Sequence, residues 1–291
     1  MSKRLHSGGQ AVIEGVMMRG RNSAAVAVRR RDGEIVVRNE PVAKWATGRI
    51  RDIPLLRGPI VLLETVILGM RSLSYSASVA IDEEDQKLHP AILWSTMAFG
   101  FILAVGLFVA LPLLIVHFLD PYITATVSNV ADGVIRLVVF IVYLNLVSLM
   151  PDIRRVFAYH GAEHATINAY EAGEELEVDS VRGYGTAHTR CGTGFILMVL
   201  VIAVIAHAFL GRPPMWLRFL ERLAILPVIG AFSYEMMKFS ADHIKNRLVH
   251  LAIIPGLVLQ RMTTRKPDDS QLEVAITALK SVLAADAEPS E

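Results

Sequence analysis

Residues 159–173 read YHGAEHATINAYEAG, with His160 and His164 four positions apart and Glu163 directly before the second histidine. On a helix, that spacing turns both imidazoles to one side. At roughly 100° per residue, Glu163, Ile167, His160, Glu171, His164 and Asn168 share an arc of about 140°. Two imidazoles on one face can hold one metal ion, and a carboxylate one turn away can take a proton from water. Pro151 and Asp152 suit a helix start and Gly173 a stop, so a single helix over 152–172 is expected to carry them.

A metal site needs further donors. HGAEH follows the H-x-x-E-H order of the inverted zinc peptidases, in which the glutamate is a base and not a ligand. Glu235 lies 71 positions after His164, an interval similar to that before the ligand glutamate of those peptidases, and His188 in GYGTAHTRCGTGF is the other candidate third ligand. Glu171 and Asn168 are expected to orient the imidazoles or to touch substrate. Cys191 is the chain's single cysteine, which excludes an intrachain disulfide and a cysteine-rich zinc knot. Three roles stay open for it: a small packed residue, a thiolate ligand, or a nucleophile beside His188 or His160. Glu14 and Arg19 sit in SGGQAVIEGVMMRGRN, which reads either as a buried strand between glycine turns or as a segment lying across the site.

The elements positioning these residues are mainly membrane-type helices. The chain is 53% hydrophobic and 20% charged over 291 residues, and Pro90 to Leu119 runs without a formal charge, longer than the roughly 20 residues a span needs. Residues 133–150, 194–210 and 220–239 are further spans, the last interrupted by Pro227 and Gly230. The runs at 53–70 and 248–260 fit interfacial or re-entrant helices better. The start carries no secretory h-region. Residues 1–60 hold twelve Lys or Arg against five Asp or Glu, whereas 120–132 holds no Lys or Arg. The positive-inside rule then places both termini in the cytoplasm. Arg212, Arg218 and Arg222 oppose that bias, because they fall in or beside the second outer connector; a re-entrant pair formed by the third and fourth segments would relieve the conflict.

The expected architecture is therefore a mainly α-helical integral membrane protein with about four transmembrane helices. Residues 1–90 form a small basic α+β cytoplasmic domain, with a hairpin at Asp32-Gly33 and an interfacial helix; its stretch 76–90 is an acidic approach to the first span. Residues 91–150 hold the first two spans, and 151–193 a cytoplasmic loop with the HGAEH helix and the HTRCG segment. Further transmembrane and interfacial helices occupy 194–260, and 261–291 form a cytoplasmic tail with a surface helix.

Four blocks, GGQAVIEGVMMRG at 8–20, HGAEHATINAYE at 160–171, HTRCGTGF at 188–195 and SYE at 233–235, resemble the signature blocks of the YqhQ-like bacterial membrane proteins. The resemblance covers nearly the whole chain. It implies a bacterial cytoplasmic membrane protein of unknown function, in a family whose members are labelled predicted metal-dependent enzymes.

The leading functional expectation is a metal-dependent hydrolase at the cytoplasmic membrane face, peptidase-like or acting on a lipid-linked substrate. A divalent metal, zinc first, would be held by His160, His164 and either Glu235 or His188, with Glu163 as base. The alternative is a non-catalytic protein of the lipid bilayer that docks ribosome, RNA or protein partners through its basic amino-terminal domain. A transporter is the weaker third reading, since few charges fall inside the spans.

Overall fold

The computed structural model describes residues 8–43, 53–80 and 90–287, so most of the acidic stretch at 76–90 and the chain's last residues lie outside the described set. Four strands come first: β1 Gly9–Val12, β2 Gly15–Arg19, β3 Ser23–Arg29 and β4 Ile35–Pro41. They form one antiparallel meander in chain order. The β3–β4 turn falls where Asp32-Gly33 placed it, with Gly33 at φ +94°, a backbone state that suits glycine. Glu14 takes φ +52° in the tight β1–β2 turn.

Among the described residues ten α-helices follow: α1 Arg57–Ala80, α2 Pro90–Val105, α3 Leu111–His117, α4 Ala125–Val147, α5 Pro151–Ala172, α6 Val178–Val181, α7 Gly192–Ala208, α8 Met215–Asp242, α9 Arg247–Thr263 and α10 Asp269–Ala287. A π-turn at Gly106–Ala110 links α2 to α3, directly ahead of Pro112, which lacks the N–H a regular helix would use there.

Alternation along the strands explains the layering, because successive side chains point to opposite faces. Val16, Met18, Ala25 and Ala27 pack on α5 and α10 through Tyr159, Ala162, Ala165, Leu272, Ala275 and Leu279. The opposite face, with Val12, Met17, Val26 and Val28, packs on Leu68 and Val79 of α1. The sheet is thus the middle of three layers. The carboxy-terminal helix, expected on the surface, is instead part of the core: Leu279 and Val282 are fully buried, and truncating such a leucine typically costs about 2–5 kcal/mol. Its amphipathic pattern shows one apolar face, and the tertiary structure supplies a sheet to cover it.

Three helical segments are long and apolar enough to cross a membrane, Arg57–Ala80, Trp94–His117 and Ala125–Val147, and Gly192–Ala208 is a shorter apolar helix. They point to membrane association. The set differs from the expectation at both ends. Residues 57–80 form one continuous helix, whose Glu64 is neutralised by Arg19 of β2 (Nη2 to Oε1 2.8 Å) and whose second half covers the sheet. Conversely, α8 carries Arg218, Glu221 and Arg222 in its first turns and falls outside the set.

Candidate metal centre

Four pieces of chain meet at the histidine pair. Helix α5 begins with Pro151 in its first turn and ends at Gly173, whose φ of +89° closes the helix, as the sequence suggested. It presents His160, Glu163 and His164. The loop 182–191 supplies Thr186 and Cys191, the latter capping the amino end of α7. The end of α9 supplies Gln260 and Thr263, and β1 supplies Gly9.

Each imidazole is oriented by a main-chain carbonyl. His160 Nδ1 lies 2.8 Å from Thr263 O, and His164 Nδ1 lies 2.7 Å from Thr186 O. A carbonyl only accepts, so both Nδ1 atoms carry hydrogen and, in the neutral rings, both Nε2 atoms present lone pairs. The two rings are 4.4 Å apart between centroids. Cys191 Sγ stands 3.4 Å from His160 Nε2 and also accepts the Thr193 N–H. Ligand atoms of His160, His164 and Cys191 lie within 4.8 Å of one another, the group of that kind found among the described residues.

Glu163 completes the arrangement. Its Oε1 accepts the Gly9 N–H at 2.9 Å, whereas Oε2 is buried without a hydrogen-bond partner, 3.4 Å from His164 Nε2 and 4.0 Å from His160 Nε2. Two ring lone pairs, an unpartnered carboxyl oxygen and a sulfur therefore converge in a buried space. A thiol hydrogen could serve one of the rings at most. Such a surplus of acceptors suits a cation, and the carbonyl-oriented imidazoles match the outer shell usual for metal-binding histidines. The residues present fit a metal ion.

The glycines are needed for close approach. A Cβ on Gly9 would stand 2.6 Å from Glu163 Cγ, and one on Gly161 would stand 2.0 Å from Arg265 O. Of the amino-terminal segment, strand β1 passes against Glu163 at Gly9.

The remaining candidates are distributed around this group. Glu235 is not in it: Arg57 binds both carboxyl oxygens, with Nε to Oε1 at 2.8 Å, and the Leu55 N–H adds a third bond. The interval to Glu235 therefore has a different explanation, the tie between α8 and the start of α1. His188 is adjacent, with its ring 5.8 Å from that of His164, but its Nε2 faces Glu171 Oε2 at 3.7 Å. Burial raises the Glu171 carboxyl, yet the His188 contact and the Arg190 charge outweigh it and hold that group below the ordinary range. Asn168 Nδ2 donates to Gly185 O and Ala187 O, so it fixes the loop that fixes His164. Glu14 and Arg19 serve the scaffold instead: Glu14 pairs with Arg155 and receives the Tyr159 hydroxyl, while Arg19 faces α1.

Sequence reasoning missed Gln260 and Thr263. Gln260 brackets the His188 backbone, its Oε1 accepting from N and its Nε2 donating to O, both at 2.9 Å. A glutamine and two threonines at the end of a helix with an apolar middle were the available signal.

A family model described as "Protein of unknown function (DUF1385)" matches residues 53–285. The chain is 30% identical over 291 residues to the uncharacterized protein YqhQ of Bacillus subtilis (strain 168), covering 95% of this chain and 92% of the relative. No solved structure matches it. With the family model running from ahead of α1 almost to the end of α10, and this relative aligned nearly end to end, the chain belongs to the DUF1385 family and is YqhQ-like throughout.

Proposed function

We propose that this protein is a metal-dependent hydrolase working at the cytoplasmic face of a bacterial membrane, multi-pass with both termini inside. The observation that carries the reading is the convergence of His160 Nε2, His164 Nε2, Cys191 Sγ and the unpartnered Glu163 Oε2. His160, His164 and Cys191 would hold the ion, and a mixed nitrogen and sulfur set favours zinc. When bound, such an ion supplies Lewis acidity toward a carbonyl or phosphoryl oxygen and makes water easier to deprotonate. Glu163 Oε2 is placed to take a proton, while Gly9 holds Oε1 and keeps the carboxyl from turning. His188, between Glu171 and His164, borders the same space. A peptide bond is the first substrate class by motif order, and an amide or phosphoester in a lipid is the next.

The distance between Cys191 and His160 also suits a thiol nucleophile with an imidazole base. That reading leaves His164 and Glu163 without a role, so the metal site is preferred. The docking alternative gains nothing from the hairpin tip, where Arg29 binds Glu273, Arg30 lies 3.8 Å from Glu34, and Arg31 donates to Ala80 O.

Elemental analysis of the detergent-purified protein tests the proposal. We expect close to one zinc per chain, lost in His160→Ala, His164→Ala and Cys191→Ala and kept in Glu235→Ala. A folded wild type that holds no metal after zinc loading and gentle desalting would overturn it.

A further inference from the structure

A second polar cluster lies at the far end of α7. Cys191 caps one end of that helix and His207 closes the other, so at 1.5 Å per residue the two are about 24 Å apart. The cluster is therefore separate from the metal centre and independent of the hydrolase reading.

Around His207 the apolar helices bury three guanidinium groups. Arg136 of α4 and Arg218 and Arg222 of α8 are 5%, 3% and 1% exposed. Asp132 is the carboxylate buried with them: Arg136 Nη2 reaches its Oδ2 at 3.0 Å, and Arg222 Nε stands 3.3 Å from the same oxygen without hydrogen-bond alignment. Asp120, half-shielded, is shared between Arg218 and the exposed Arg212. Neutral groups take part of the remainder, with Asn129 Oδ1 accepting from both Arg218 Nη2 and Arg222 Nη2 at 2.9 and 2.7 Å, and Ser128 Oγ accepting from Arg218. Glu221 is a further charge near Arg222.

This leaves positive charge and donors over. Arg222 Nη1 and Nε, Arg218 Nε, Arg136 Nε and both ring nitrogens of the fully buried His207 have no hydrogen-bond partner among the described residues, against one unpartnered carboxyl oxygen, Asp132 Oδ1, so guanidinium donors remain in excess. Burying uncompensated guanidinium groups is costly, and clustered arginine donors match the several acceptor oxygens of a phosphate. Beside the cluster, on the same turns of α8, runs an apolar groove of about 660 Å³ lined by Ala110, Leu113, Met215, Trp216, Phe219 and Leu220. Met215 and Arg222 are seven residues apart and Phe219 and Arg222 three, so the buried cations lie on the turns next to the groove, whose own lining is apolar.

We propose that this is a binding site for one phosphate-bearing lipid, its headgroup on Arg218 and Arg222 and an acyl chain along the groove beside Trp216. It accounts for arginines that oppose the positive-inside bias, since their charge would be matched by a ligand and not by topology.

Native mass spectrometry of the full chain in detergent, before and after delipidation, tests this at constant ionic strength. We expect one phosphatidylglycerol or phosphatidic acid per chain, at least tenfold lower occupancy in Arg222→Gln and Arg218→Gln, and no comparable uptake of phosphatidylcholine. Trp216→Ala, whose side chain is largely exposed, removes groove contact without touching the ion network and should weaken lipid uptake even where the arginine variants fail to fold. Equal thermal stabilisation by inorganic phosphate alone, indifferent to Trp216→Ala, would overturn the lipid as occupant. A delipidated wild type that takes up neither lipid nor phosphate would overturn the site.

Discussion

Glu163→Gln separates the two demands placed on the candidate site. The amide oxygen can still accept the Gly9 N–H now received by Oε1 at 2.9 Å. The amide nitrogen replaces Oε2 and brings a donor to within 3.4 Å of His164 Nε2, where an acceptor now faces an acceptor. In the metal-free protein the substitution therefore removes an unsatisfied buried oxygen, whose cost is about 1–3 kcal/mol, and adds a hydrogen bond. Because 3.4 Å is long for such a bond, the expected gain is at the low end, about 1 kcal/mol. In the zinc-loaded protein the three proposed ligands remain but the proton acceptor is lost. Metal content should stay near wild type, while hydrolysis of a responsive substrate falls by about 10²–10⁴. Denaturant unfolding of chelator-treated protein in detergent, with elemental analysis of the loaded form, reads both sides. A metal-free Glu163→Gln less stable than wild type by 1 kcal/mol or more would refute the donor and acceptor assignment. Loss of zinc with the fold intact would make Glu163 a ligand instead of a base.

The same geometry sets three further outcomes. Gly161→Ala sets a methyl 2.0 Å from Arg265 O; backbone cannot yield cheaply, so we expect about 2 kcal/mol or more of destabilisation and weakened zinc retention as the Thr263 carbonyl is displaced from His160. Cobalt substituted for zinc should give a sulfur-to-metal charge-transfer band that Cys191→Ser loses, whereas a spectrum unchanged by that substitution would remove Cys191 from the ligand set. Asp286 of α10 accepts from the Arg21, Asn22 and Ser23 N–H groups and the Ser23 hydroxyl. Burial raises its carboxyl, but those donors outweigh it and hold it below the ordinary range. Its contribution is thus full above the unfolded carboxyl range and lost as pH falls through the lower folded value. Asp286→Ala should cost about 1 kcal/mol at neutral pH, and the difference from wild type should shrink on acidification; a constant difference would refute the assignment.

Much of the chemistry was legible because it is local. His160, Glu163 and His164 share a helix face by spacing alone, and Pro151 and Gly173 mark its ends, so α5 could be drawn within a residue. The hairpin at Asp32-Gly33 was readable for the same reason, since a turn's backbone conformation depends on the residues in it. The choice of third ligand was not local. Glu235 had a suitable interval, but an interval along the chain does not say which charge will be nearer, and Arg57 is. Three roles were open for Cys191 in the sequence, and its nearness to His160 came only from the loop after α6 folding back.

The sequence by itself determined that this chain carries long apolar helices of the kind that can cross a membrane, that HGAEH forms one face of a helix, and that a small antiparallel element precedes both. These follow from length, composition and periodicity, which act over a few turns. Only the tertiary structure decided that the sheet lies between α1 on one side and α5 with α10 on the other, joining segments some 250 positions apart. It alone decided that main-chain carbonyls of Thr186 and Thr263 aim the imidazoles. It also decided that the arginines of α8 turn inward beside Asp132. Those outcomes depend on which buried polar groups find partners in a packed interior, and that is a property of the whole chain's arrangement.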